Sequence, residues 1–127
     1  MLVRDVMTPA VLTVGPAHTL RQVAQAMAAR RVGAAVVHDP DSGGPGILTE
    51  RDVLQAVASG QDLDVELAAD HLTPDAVSGE PDWDLEKAAG AMVSGNFRHL
   101  VICSGGEVIG VLSVRDIVKA WTGARAR

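Results

Sequence analysis

The sequence predicts a mixed α/β (α+β) fold made of two β-α-β-β-α units related by a pseudo-two-fold. Two observations carry that expectation. Gly46-Ile47-Leu48-Thr49-Glu50-Arg51-Asp52 returns near the C-terminus as Gly110-Val111-Leu112-Ser113-Val114-Arg115-Asp116. Around it the chain matches itself colinearly: Met7-Thr8-Pro9 with Leu72-Thr73-Pro74, Pro16 with Pro81, Leu20 and Met27 with Leu85 and Met92, Val36 with Val101, all 65 positions apart. From Gly46 onward the offset is 64. A repeat this long is no solenoid motif, so the chain divides into two copies, residues 1–62 and 63–127.

Each element has a local reason. Pro9 and Pro74 end short helical lead-ins, and Val11–Val14 and Ala76–Ser78 read as short extended segments. Thr19, three residues before Gln22, is a capping-box start for a helix to about Ala29, and Asp84 caps its counterpart to Ser94. Leu20, Val23, Ala24 and Met27 form one apolar stripe, as do Leu85, Ala88, Ala89 and Met92. Ala34–Val37 and Leu100–Cys103 read as buried strands. Asp39 to Pro45 is a glycine- and proline-rich loop, and Ser104-Gly105-Gly106 a tight turn into Glu107-Val108-Ile109. Thr49 and Ser113 then stand where a strand becomes a helix.

Composition bounds the rest. At 127 residues and 47% apolar content, the chain suits one domain with a real core. No apolar run approaches the roughly 20 residues of a membrane span, and the start carries no signal-peptide pattern. The single Cys103 rules out an internal disulfide and fits a reducing compartment, so the expectation is a cytoplasmic protein. Nine carboxylates and no Lys or Arg lie between Gln61 and Glu86, a face that repels nucleic acid. Arg125 and Arg127 make a short basic tail.

Two readings of the Thr/Ser-x-x-Asp helix starts compete. As capping boxes, the hydroxyl and the acid satisfy orphan N–H groups of the first turn. As a ligand site, free N–H groups and a hydroxyl at a helix N-terminus suit a phosphate, and Asp52 or Asp116 can accept both hydroxyls of a ribose. No nucleophile with its base, no paired catalytic acids and no glycine-rich phosphate loop has convincing spacing. His18, His38 and His71 lack paired ligand spacing, so neither a metal nor a catalytic cofactor is expected, and the chain reads as a non-enzyme.

With β-α-β-β-α order, the lead-in Val6-Met7-Thr8-Pro9 and the paired motifs, the chain resembles a stand-alone, bacterial-type tandem pair of CBS domains (the cystathionine β-synthase motif), a Bateman-type module. The resemblance covers nearly all of residues 2–122. It implies two clefts between the units that bind adenine-containing ligands (AMP, ADP or ATP, with NAD or S-adenosylmethionine as alternatives), and dimers that form a flat disc of four units. It puts ribose on Asp52 and Asp116, phosphate near Thr49 and Ser113, and adenine near the backbone of Thr8 and Thr13 or of Thr73 and Ser78. In that scheme each motif faces the first strand and the pre-strand residues of the other copy. Arg98-His99-Leu100 resembles the family's phosphate-contacting segment, whereas Gly33 and Ala34 in the first copy carry no charge. Val36 and Val101 stand where the family's proline is usual.

The sequence therefore points to a non-catalytic regulatory module that senses energy or redox state through an adenine nucleotide and acts on an unidentified protein partner. The alternative is a ligand-free interaction or assembly domain. A homodimer is expected from Val53, Leu54, Val57, Ile117, Val118 and Trp121, more apolar surface than one sheet covers. Arg98 and His99 are expected to equip the cleft of Thr49 and Asp52, making it the tighter site.

Overall fold

Capping and turn chemistry sets the element boundaries in the computed structural model, which describes residues 1–9, 11–41, 44–74 and 76–125. Helix α1 (Leu20–Arg30) starts at Thr19: the Gln22 N–H donates to Thr19 Oγ1 at 3.2 Å and the Thr19 N–H to Gln22 Oε1 at 2.9 Å. It ends where Arg31 turns left-handed at φ 56°. Its counterpart α3 (Leu85–Gly95) starts at Asp84, which accepts the Lys87 N–H at 2.8 Å, and ends at left-handed Asn96. Asparagine tolerates that conformation better than arginine does. Gly105 and Gly106, at φ 59° and 82°, close the hairpin. Residues 42 and 43 of the Asp39–Pro45 loop and Arg127 of the expected tail lie outside the described residues. Arg125 is the last residue of a helix.

One compact unit is Leu12–Ala76. Its sheet has the order β1 (Thr13–Val14), β2 (Ala34–Val37), β3 (Gly46–Thr49), parallel then antiparallel, followed by α2 (Glu50–Ala58). Alternation puts Val14, Ala35, Val37 and Leu48 on the face that packs on Leu20, Val23 and Met27 of α1. The other unit is Met1–Val11 with Val77–Arg127. It repeats the design with β4 (Ser78–Gly79), α3, β5 (His99–Ser104), β6 (Glu107–Ser113) and α4 (Val114–Arg125). Leu100, Ile102 and Leu112 pack there on Leu85, Ala88 and Met92.

The packing units are cut differently from the sequence copies 1–62 and 63–127, because each lead-in belongs to the unit built from the other copy's strands. Val3 is fully buried among Leu85, Leu100 and Leu112, and its N–H donates to the Trp83 carbonyl at 2.8 Å. Ala68, its repeat partner, is fully buried in the first unit, and its N–H donates to the His18 carbonyl at 2.8 Å. Each lead-in then forms an antiparallel bridge to the motif strand: Thr8 to Val111 with N–H···O distances of 2.9 and 3.1 Å, and Thr73 to Ile47 with 2.9 and 3.0 Å.

This bridge explains the motif glycine. A Cβ at Gly110 would lie 2.8 Å from Met7 Sδ and 3.0 Å from the Thr8 carbonyl oxygen. At Gly46 it would meet Leu72 at 2.9 Å and the Thr73 carbonyl at 3.3 Å. Gly110→Ala, where backbone is the obstacle, is expected to cost about 1–3 kcal/mol. Gly46→Ala, against a flexible leucine tip, should cost less. Paired thermal melts check the order, and equal losses would contradict it.

Candidate functional site

Strand β3 ends at Thr49, and α2 begins at the next residue. The Thr49 N–H and hydroxyl both donate to Asp52 Oδ2, at 2.8 and 3.2 Å. At the equivalent turn the Ser113 N–H donates to Asp116 Oδ2 at 2.9 Å, and the Asp116 N–H donates to Ser113 Oγ at 3.1 Å. The capping chemistry is therefore present in both copies. It uses only Oδ2 of each aspartate. Oδ1 of each half-buried carboxylate has no hydrogen bond among the described residues.

The first turns offer fewer free amides than a bare helix start would. The Glu50 N–H donates to the Gly33 carbonyl, and the Val114 N–H to the Arg98 carbonyl, each at 3.0 Å. The side chains flanking these turns differ between the two units.

Each sheet carries one row of matched residues from edge to edge. In the first unit it runs Thr13, Val36, Ile47, Thr73; in the second, Ser78, Val101, Val111, Thr8. Thr73 lies beside the strand that leads into Thr49 and Asp52, and Thr8 beside the strand that leads into Ser113 and Asp116. Each motif thus meets the pre-strand residue of the other copy. Thr13 and Ser78 lie on the far edge, each in the sheet of its own copy's motif. Ser78 bonds the Cys103 side chain. Burial pushes that thiol up, and the Ser78 hydrogen bond partly offsets the shift.

Within the second unit, Arg98 and His99 stand beside the motif of their own copy. His99 is the register partner of Ser113, and Arg98 accepts the first amide of α4, so both belong to the turn of Ser113 and Asp116. Ala34 and Gly33 hold the same positions beside Thr49 and Glu50. The offset of 65 aligns the copies, but only the strand register shows which turn a residue adjoins.

Sequence reasoning missed Lys119, one turn after Asp116. Both line a hollow of about 400 Å³ against Asp5 and Val6. The signal was available in the repeat alignment, which sets Lys119 against Gln55. Among the described residues no three His, Cys, Asp or Glu side chains are placed to hold a metal. His71 instead contacts Glu66 at 2.8 Å. No helix among the described residues is long and apolar enough to cross a membrane.

A family model described as the CBS domain matches the chain twice, over residues 3–59 and 68–123. The CBS domain-containing protein YhcV of Bacillus subtilis (strain 168) is 32% identical over 116 residues, covering 91% of this chain and 81% of YhcV. The CBS-domain containing protein ATU1752 of Agrobacterium tumefaciens matches with a TM-score of 0.85 at 32% identity, covering 94% of this chain and 92% of that one. The CBS domain protein PAE2072 of Pyrobaculum aerophilum, solved complexed with AMP, matches with a TM-score of 0.82 at 30% identity, covering 96% and 99%. Two three-stranded sheets with four helices are the architecture of these CBS-pair structures.

The capping geometry has a consequence independent of any ligand. Asp52→Ala and Asp116→Ala are each expected to cost about 1 kcal/mol, as loss of a cap does. Asparagine, which keeps an acceptor oxygen, should restore most of it. Denaturant melts of the four variants check this, and unchanged stability in both alanine variants would remove the capping role.

Proposed function

Because the chain belongs to the CBS-domain family as a tandem pair, we propose that it is a non-catalytic regulatory module that binds adenine nucleotides at the starts of α2 and α4. One observation carries the proposal. Asp52 and Asp116 each sit half-buried at a strand-to-helix turn, held by a backbone N–H through Oδ2, with Oδ1 left over to accept a ribose hydroxyl. A carboxylate oriented by its own cap is a preorganised acceptor, which lowers the cost of binding. At the second turn Ser113, Arg98 and His99 supply a hydroxyl and basic groups for phosphate. Thr73 and Thr8, bridged to the motif strands, border the two turns, whereas Thr13 and Ser78 contribute through the sheet.

The AMP complex of PAE2072, at 30% identity, supports AMP, ADP or ATP as the ligand class. NAD and S-adenosylmethionine share the adenosine half and remain alternatives at the same turns. Occupancy would report energy or redox state, in the cytoplasm, to a protein partner. A thermal-shift screen with AMP, ADP, ATP, NAD and S-adenosylmethionine tests the reading. A ligand at 100 times its Kd should stabilise the fold by about 2.7 kcal/mol. Silence from all five at millimolar concentration would favour a ligand-free assembly domain.

A specific observation supports self-association alongside ligand binding. Leu54 and Val57 on α2 are 67% and 53% exposed, and their repeat partners Val118 and Trp121 on α4 are 48% and 50% exposed. Ile117, by contrast, is buried in its own unit's core, and Val53 packs partly against the core of the first unit. A homodimer covering the four exposed residues is expected to scatter light at twice the 13.2 kDa of one chain. Val57→Glu with Trp121→Glu should return it to monomer mass, and a wild-type monomer at micromolar concentration would refute the dimer.

A further inference from the structure

The two units share a fold but not a field. At three repeat-equivalent positions around the helix starts, the second copy is more positive by one charge each time: Gly33 becomes Arg98, Glu50 becomes Val114, and Gln55 becomes Lys119. The register places each pair at matching sites. Gly33 and Arg98 accept the first amide of α2 and of α4. Glu50 and Val114 are the first residues of those helices. Gln55 and Lys119 each lie three residues after the aspartate, and Lys119 shares a hollow of about 400 Å³ with Asp116. The turn of Asp52 therefore carries Arg51 against two acids, Glu50 and Asp52, a net −1. The turn of Asp116 carries Arg98, Arg115 and Lys119 against one acid, a net +2. His99 against Ala34 widens the contrast whenever the imidazole is protonated. Asp5, which also lines the hollow, has Asp70 as its repeat partner and leaves the difference unchanged.

We propose that the two turns take adenosyl compounds of opposite charge: phosphorylated ones at Asp116, and uncharged or cationic ones such as adenosine or S-adenosylmethionine at Asp52. The inference rests on the nucleotide reading above and adds the division of ligands between the turns. Both aspartates can accept a ribose diol, so the adenosine half does not discriminate. Discrimination falls on the substituent at the 5′ position. A phosphate dianion gains from the cations around Asp116 and is repelled by the acids around Asp52. A sulfonium meets the reverse. Three charges acting across a few ångströms at a protein surface separate the two turns by on the order of tenfold or more in affinity. Because the charges are exposed, salt should erode the preference.

Calorimetry on the full chain tests this with AMP, adenosine and S-adenosylmethionine as probes. Asp116→Asn and Lys119→Gln should each weaken AMP about tenfold, whereas Asp52→Asn should weaken S-adenosylmethionine about tenfold and AMP by much less. A second variant guards against misfolding: Glu50 and Gln55 are exposed, so Glu50→Val with Gln55→Lys leaves the core intact. It should raise the AMP stoichiometry from one to two per chain. Equal AMP losses in Asp52→Asn and Asp116→Asn, or unchanged stoichiometry in the double variant, would overturn the division while leaving nucleotide binding in place. Absence of binding by all three probes to the wild type would overturn the underlying reading and this one with it.

Discussion

A two-residue antiparallel bridge is the constraint on which the rest depends. Thr8 exchanges both N–H···O bonds with Val111, and Thr73 does so with Ile47. The bridge pulls each lead-in against a motif strand so closely that the strand must carry glycine there. It also decides which residues share a core, since Val3 and Ala68 are buried in units whose strands come from the other copy. Folding one unit therefore requires a segment from each sequence copy, which is long-range closure of the kind that slows folding.

The same bridge makes the helix starts more than caps. The structural and the functional readings of Thr/Ser-x-x-Asp use different oxygens of one carboxylate, so they do not compete. Oδ2 holds the turn, and Oδ1 has no hydrogen bond among the described residues. If Asp52 and Asp116 bind as proposed, a substitution at either residue acts on stability and binding together.

The fold was legible because its signals are local and occur twice. Helix caps at Thr19 and Asp84, apolar stripes ending in Met27 and Met92, and the Gly105-Gly106 turn each identify an element without tertiary information. The resemblance to CBS domains followed from the same duplicated residues. Pairing between elements was less legible. Self-similarity shows that Arg98 corresponds to Gly33, yet it is silent on which turn either one adjoins within its unit. The hydrogen bond from the Val114 N–H to the Arg98 carbonyl resolves the point. The edge positions of Thr13 and Ser78 were not legible for the same reason, because a two-residue strand carries no register information. Lys119 was overlooked because it stands outside the seven repeated residues, although the offset that aligns those residues also aligns it with Gln55.

In the binding mode proposed above, Asp116 Oδ1 accepts a ribose diol. The most direct measurement compares AMP with its 2′-deoxy analogue by calorimetry at one salt concentration. The analogue keeps the base and the phosphate and lacks one of the two hydroxyls. AMP is expected to bind about tenfold tighter or more, the worth of a hydrogen bond to a charged acceptor, and Asp116→Asn to narrow the gap. Equal affinity of the two nucleotides for the wild-type protein would contradict it.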